Sequence, residues 1–150
     1  MKKIILLLLI SNMAKAQFFN KNDIAIASLS LVAGASNGVE EAIKFHYNKG
    51  FAYVHPNASR LYWDPRESWY NKNNSAFSRA FPMFSDGYHL MRGIARINTT
   101  AAIAISITDF KNLTKKQVAL RIAKKFVISM VANRAGQYLT YDLIYRQRVF

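Results

Sequence analysis

The positions of the three prolines constrain this fold more than any other feature of its sequence. Pro56, Pro65 and Pro82 all fall in one central segment, and a proline inside a helix removes a backbone hydrogen bond and clashes with the turn before it. Long helices are therefore expected only before and after that segment. The sequence predicts an all-α fold of three long helices, with a long aromatic-rich loop or irregular layer at residues 48–85, between helices 1 and 2.

Periodic patterns and capping signals predict where the three helices begin and end. They are expected at residues 23–47, 85–108 and 114–145. The third opens with Thr114-Lys-Lys-Gln, which has the spacing of a capping box. The β-branched stretch 102–108 would also suit a strand, although its length without a turn favours a helix.

The start of the chain has the three parts of a secretory signal peptide. Lysines provide the charged beginning, residues 4–10 are an unbroken apolar run, and Ala14-Lys-Ala16 is a small-x-small cleavage site. The alternative is an uncleaved anchor or a buried N-terminal helix. The sequence predicts a signal peptide at residues 1–16 and one helical, membrane-associated domain at 17–150, because the chain is long enough for a single domain only.

Apolar stretches within the predicted helices favour a membrane. Residues 24–33 are apolar or small on every face, which suits either a protein core or lipid. In helix 3, by contrast, Lys125 and Arg134 leave only about 14 Å of helix between them free of charge. The balance favours an integral, membrane-associated three-helix bundle with transmembrane helices over a soluble or surface-bound bundle.

Two glycines in helix 1 predict a close helix contact. Gly34 and Gly38 are separated by three residues, and this spacing of small residues lets helices approach closely in membranes. A homo- or hetero-oligomer through these glycines is one interpretation. A kink at Gly38 is the other.

The charge of the chain predicts an anionic partner. The formal net charge is +13 at pH 7, and there is no cysteine, which excludes disulfides and thiolate chemistry. For an exported chain the expected partner is a phospholipid membrane rich in anionic lipids, since each cation near such a surface gains about 1 kcal/mol. No nucleic-acid partner is expected, because export separates the chain from it. The predicted location is the inner (cytoplasmic) membrane or its periplasmic face.

The central segment mixes aromatic rings with cations. Trp63, Arg66, Trp69 and Lys72 are the residues that we expect to bind a membrane surface, because amphipathic rings and cations suit the headgroup layer. A cap folded over the helices, with these rings in a small core of its own, is equally compatible with the pattern.

A carboxylate and an imidazole near the start of helix 2 are the candidate catalytic groups. Asp86 and His89 are three residues apart, which places them on one helical face, and Glu41 could meet them across a helix pair. Such a set could orient a general base or hold a metal, although the sequence identifies no particular metal or cofactor. The alternative is that Asp86 caps helix 2 and His89 is a hydrogen-bonded interface residue.

Several segments, in order, form a recognisable pattern. They are GVEEAIKFHY at 38–47, HPNA at 55–58, YWDP at 62–65, ESWYNK at 67–72, FSDGYHL at 84–90, NRAG at 133–136 and LTY at 139–141. Together they resemble a family of small, uncharacterised exported or membrane proteins from Bacteroidota and their phages. The resemblance covers most of the chain after residue 16, and it implies a membrane protein without implying any reaction.

Together these features predict a small helical membrane protein with a structural or accessory role. One alternative is a membrane-surface enzyme that uses the Asp86, His89 and Glu41 groups. The other is a protein that binds acidic lipids through the central segment.

Overall fold

A computed structural model describes residues 19–71, 75–108 and 110–146 of the chain. The described residues are helical throughout their regular elements and contain no strand, so the predicted all-α class is confirmed. The stretch that also suited a strand belongs largely to a helix. The predicted signal peptide at residues 1–16 lies outside the described residues.

The described residues form three long helices and several short ones. The elements are α1 (Lys21–His46), the π-helix π1 (Tyr47–Phe51), α2 (Ala52–Val54), α3 (Arg60–Trp63), α4 (Pro65–Asn71), α5 (Ala76–Ala80), a 3-10 turn (Pro82–Phe84), α6 (Gly87–Ser106), α7 (Lys115–Gln137) and the π-helix π2 (Tyr138–Tyr145).

The central segment is a series of short helices and not a long loop. Two of its prolines lie where a helix tolerates them, since Pro65 begins α4 and Pro82 begins the 3-10 turn, and the first position of a helix has no hydrogen bond for proline to remove. Ser75 and Ser78 form a capping box that starts α5. The prolines therefore limit the length of these helices without preventing them.

The three long helices are arranged around α1. This helix packs along both α6 and α7, whereas α6 and α7 barely touch each other. The result is a layer with α1 in the middle, which differs from the expected bundle in which all three helices share one core.

Small residues form the contact between α1 and α7. A Cβ atom at Gly34 would overlap the backbone carbonyl of Asn133, and one at Gly136 would overlap the backbone of Leu31. Gly38 packs against the side chain of Thr140 in π2, so a close approach at Gly34 and Gly38 is made within one chain. The oligomer expected through these glycines stays a prediction.

A buried ion pair joins the start of α1 to α7. Asn20 caps α1 and accepts from the backbone of Asp23 at 2.8 Å, and the Asp23 carboxylate in turn accepts from Lys124 Nζ at 2.6 Å. Burial alone would raise the pKa of Asp23, but the hydrogen bonds from Lys124 and from the backbone of Asn20 outweigh it and hold the pKa below its usual value. Asp23 is therefore ionised at neutral pH and fixes the register of α7 on α1.

In the described part of the chain, no helix combines the length and the apolar character that crossing a bilayer requires. The predicted transmembrane helices are therefore wrong. A charge near the middle of a span costs about 2.5–3.5 kcal/mol on the insertion scale, and each long helix contains at least two charged residues. They include Glu40, Glu41 and Lys44 in α1, Arg92 and Arg96 in α6, and Arg121, Lys124, Lys125 and Arg134 in α7.

On α7, large apolar side chains point outward from the layer. The outward-facing side of α7 carries Leu120, Phe126, Val127 and Val131, all of them more than half exposed. Its inward-facing side carries the buried Lys125, whose ammonium donates to the carbonyl of Ser106 at 2.9 Å. Much of the apolar surface of this protein is thus left open.

Replacing Gly34 by alanine should separate α1 from α7. Alanine gains about 1 kcal/mol in helix propensity, but its Cβ meets backbone, which cannot move aside locally. We expect the free energy of unfolding, measured by urea denaturation, to fall by about 1–3 kcal/mol. Gly50→Ala is the matched control, because its Cβ would first meet His46 and Tyr145 side chains at 3.3 and 3.6 Å. An equal loss in both variants would contradict a close backbone contact between α1 and α7 at Gly34.

Replacing Asp23 by asparagine should remove the ion pair and preserve the local capping. Because Lys124 is partly exposed, we expect a loss of about 1–2 kcal/mol at pH 7. The folded-state pKa of Asp23 is lowered, so its stabilising effect is present above the unfolded value of 3.8 and is lost as the pH falls through the folded-state value. Unfolding curves at pH 7 and pH 3 should therefore differ less for Asp23→Asn than for the wild type, and an unchanged difference would refute this role.

Candidate functional site

Two adjoining cavities lie where the end of α1 meets α4 and the start of α6. Their volumes are about 200 and 170 Å³, and both are lined by Lys44 and Pro65. We call this region the twin cavity. Its polar and aromatic lining includes Lys44, Tyr47, Lys49, Asp64 and Arg66 in the first cavity, and Ser68, Trp69, Asp86 and His89 in the second.

Asp64 organises the first cavity. Its carboxylate is buried, and it accepts from the backbone N–H of Arg66 and from the guanidinium of Arg60, each at 3.0 Å. The first bond turns the chain into α4, which directs residues 65–69 along the cavity. Because both oxygens of Asp64 already accept hydrogen bonds, its charge is compensated within the protein.

Three cations surround the first cavity without acidic partners. Lys44, Lys49 and Arg66 are exposed, and none of them forms a salt bridge within the described residues. Lys44 lies over the ring of Phe45, 4.8 Å from its centroid. This arrangement attracts an anion, because the cations are not neutralised by a neighbouring carboxylate.

Tyr47 adds a buried hydroxyl to the lining residues. The residue is 8% exposed, and its hydroxyl oxygen has no hydrogen-bond partner among the described residues. Burial, followed by the nearby charge of Asp64, raises the pKa of Tyr47 above its usual value. The hydroxyl therefore keeps its proton at neutral pH and can act as a donor.

Asp86 and His89 are brought together as the sequence predicted. One carboxylate makes two contacts, since Asp86 Oδ1 accepts from the backbone N–H of His89 at 2.8 Å and caps α6, while its two oxygens lie 2.9 and 2.8 Å from His89 Nδ1. Asp86 is 3% exposed. The contact places a proton on Nδ1, so in the neutral ring Nε2 is the acceptor.

Glu41 does not join this pair. Its carboxylate accepts from Gln137 Nε2 of α7 at 2.9 Å, whereas its neighbour Glu40 contacts α6 by a 2.9 Å ion pair with Arg92. Neighbouring residues of a helix point about 100° apart, so only one of the two glutamates can face α6. Within residues 19–71, 75–108 and 110–146, no group of three or more potential metal ligands is assembled.

The predicted surface-binding residues divide into inward and outward ones. Trp63 points inward, where its ring stacks on Phe51 at 5.0 Å and covers Gly87 so closely that a Cβ there would overlap it. Arg66 and Trp69 point outward at the twin cavity, and Trp69 is 68% exposed. Lys72 lies outside the described residues. The segment therefore has both a small core and an exposed aromatic face, and its binding to a membrane surface stays a prediction.

The exposed aromatic face extends well beyond Trp69. Its members share a position in the short helices between π1 and α6, and each exposes at least 46% of its surface. They are Tyr53, Trp69, Tyr70, Phe77, Phe81 and Phe84.

Sequence reasoning missed Lys44, Tyr47 and Lys49. They are within or beside π1, and a π-helix has wider turns than an α-helix, so the faces assigned by α-helical spacing are shifted from Tyr47 onward. The only sequence signal available was the run of lysines and aromatics at 44–51, which is also typical of an ordinary helix end.

Comparison with protein-family models, with curated proteins and with solved structures finds no match to this chain. The resemblance carried by the ESWYNK and FSDGYHL segments stays a prediction.

Replacing Asp86 by asparagine should release the ring of His89 and still cap α6. The amide keeps one oxygen for the backbone N–H but cannot hold a proton on Nδ1 by its charge. We expect the ¹⁵N chemical shifts of the neutral imidazole to change from the Nδ1-protonated pattern to a mixture of tautomers. Ser85→Ala is the control, because the Ser85 hydroxyl also contacts Asp86, at 3.3 Å. An unchanged tautomer in Asp86→Asn would show that Asp86 does not orient the ring.

Proposed function

We propose that this protein is an accessory protein of a membrane surface that binds the headgroups of anionic phospholipids at the twin cavity. The observation that carries the proposal is the set of three cations, Lys44, Lys49 and Arg66, around one cavity without salt bridges among the described residues. A lipid phosphate offers the charge and the acceptor oxygens that these cations and the Tyr47 hydroxyl lack.

The magnitude of the attraction supports a surface role. Each lysine or arginine close to an anionic bilayer gains about 1 kcal/mol, so three together contribute about 3 kcal/mol before any apolar contact is counted. The net charge of +13 adds a long-range attraction that raises the rate of encounter with an acidic surface.

The exposed aromatic face supplies the apolar part of the contact. Tryptophan and tyrosine favour the membrane–water interface, because their rings leave water while their polar tips stay in it. Trp69 lines the twin cavity and is exposed, so a surface that places phosphates at the cations also meets this ring. Association of this kind needs no helix that crosses the bilayer.

The proposed location follows from the predicted signal peptide. An exported chain with this surface would act at the periplasmic face of the inner membrane, where anionic headgroups are available. The helical layer then has a structural role, since it holds the residues that line the twin cavity in place.

A membrane-surface enzyme is the second candidate, and the Asp86–His89 geometry favours it. A carboxylate that holds the proton on Nδ1 leaves Nε2 able to accept a proton from a substrate or water. Loss of turnover in His89→Asn with lipid binding retained would distinguish this function from simple binding.

Charge reversal at the twin cavity should abolish binding to anionic vesicles. We expect the wild type to sediment with vesicles that contain phosphatidylglycerol and to stay in solution with pure phosphatidylcholine. In Lys44→Glu/Lys49→Glu/Arg66→Glu the affinity should fall by at least about 100-fold, because three favourable contacts of about 1 kcal/mol each are lost.

A variant with the same change in net charge provides the control. Lys111, Lys115 and Lys116 are exposed at the opposite end of the layer, and glutamates at the start of α7 favour its dipole, so Lys111→Glu/Lys115→Glu/Lys116→Glu should fold. We expect less than about a tenfold loss from this variant. Equal losses in both triple variants, or equal binding of the wild type to both kinds of vesicle, would overturn the proposal.

A further inference from the structure

A separate apolar cavity lies between π1, α3 and π2. Its volume is about 550 Å³, which is within the range of about 300–1,000 Å³ found for small-molecule sites. Its apolar walls come from α1, π1, α2, α3 and α6, and they are Val39, Phe51, Val54, Trp63 and Met91.

Among the residues that the structure describes, no carboxylate, lysine or arginine lines this cavity. Its polar groups come from His55, Asn57 and Tyr145, and two of them satisfy each other, since His55 Nε2 lies 3.1 Å from the hydroxyl of Tyr145. An occupant therefore has to be apolar over most of its length. Met91 adds an unbranched side chain that adapts to the shape of a flexible guest.

Both π-helices contribute a ring to this cavity, Phe51 from π1 and Tyr145 from π2. π-helical turns are rare, and they occur frequently at functional sites. Here they bring the two rings to within 6.0 Å of each other. The irregular backbone and this cavity thus coincide.

The apolar cavity and the twin cavity share two short stretches of chain. In π1, Tyr47 and Lys49 line the twin cavity while Phe51 lines the apolar one, and consecutive residues Trp63 and Asp64 line the two cavities in turn. A molecule with a charged head and an apolar tail is the class of ligand that such neighbouring sites fit.

We propose that the apolar cavity binds one acyl chain of a membrane phospholipid, withdrawn from the bilayer. The cavity alone supports the binding of an alkyl chain. The identification of a membrane lipid as the source of that alkyl chain rests on the proposed function. The Tyr47 hydroxyl and the three cations then lie on the side of the headgroup, and the Phe51 and Trp63 rings lie along the chain.

The position of Trp63 allows a direct test. The protein has two tryptophans, so in Trp69→Phe the remaining fluorescence reports from the cavity wall. Bromine quenches tryptophan on contact, and we expect ω-bromoundecanol to quench Trp63 saturably, with plain undecanol competing. Quenching that is absent or that does not saturate would overturn the cavity assignment.

A cavity-filling variant separates the site from general apolar adsorption. Val39→Phe, combined with Trp69→Phe, should weaken the affinity for ω-bromoundecanol at least about tenfold, because the added ring occupies space for several methylenes. Val32→Phe is the matched control on the same helix, since Val32 is exposed and does not line the cavity. Ala58→Leu at the cavity rim replaces Val39→Phe if circular dichroism shows that the latter is unfolded. Equal affinities in the filling and control variants would contradict the proposal.

An experiment with vesicles tests whether a membrane lipid is the source of the bound acyl chain. The Trp69→Phe variant is first shown to sediment with phosphatidylglycerol vesicles. Phosphatidylglycerol that carries bromine on its acyl chains should then quench the fluorescence of Trp63. The cavity-filling variant should show less of this quenching and should still sediment. Quenching by the alcohol without quenching by the brominated lipid would overturn the membrane as the source. If the wild type does not sediment with these vesicles and the alcohol still quenches Trp63 in Trp69→Phe, the proposed function fails and alkyl-chain binding stands.

Discussion

The backbone contact between α1 and α7 is the constraint on which the rest of this structure depends. At Gly34 and Gly136 each helix reaches the backbone of the other, so the seam has no room for large side chains and is completed by polar ones such as Ser30 and Ser129, 2.7 Å apart. The large apolar residues of α7 must then point away from α1. The same seam continues at Gly38, which packs against Thr140 of π2 and so brings the end of the chain to the apolar cavity.

Pairing of the acids determines the electrostatic character of the surface. Every carboxylate in the described residues has a hydrogen-bond or ion-pair partner in the protein, and most of these contacts hold one element to another or begin a helix. What remains at the surface is an excess of lysine and arginine, which is the physical basis for binding an anion. The acids and their partners are Asp23 with Lys124, Glu40 with Arg92, Glu41 with Gln137, Asp64 and Glu67 with Arg60, Asp86 with His89, and Asp142 with Arg146.

The sequence predicts the positions of the long helices well, because prolines and caps act locally. Asp86 and Thr114 begin α6 and α7 as expected, and the Asp86–His89 contact follows from spacing within one helix. Contacts between helices depend on which face of α1 each neighbour covers. That is why Glu41 was assigned to the wrong neighbour, and why an apolar stretch with small residues suggested lipid when its partner is α7. The twin cavity could not be predicted, since Lys44 of α1, Lys49 of π1 and Arg66 of α4 line it together only in the folded chain, and spacing along the sequence does not show which elements meet there.

A stacked pair of rings in π1 lies where this small chain presents two different environments side by side. The rings of Tyr47 and Phe51 are 5.8 Å apart, and Tyr47 lines the charged cavity while Phe51 lines the apolar one. The stacked pair therefore separates a region of low dielectric from a region of cations. An amphiphile bound across this boundary would keep its phosphate next to uncompensated charge and its chain out of water, so each half of the ligand would strengthen the retention of the other.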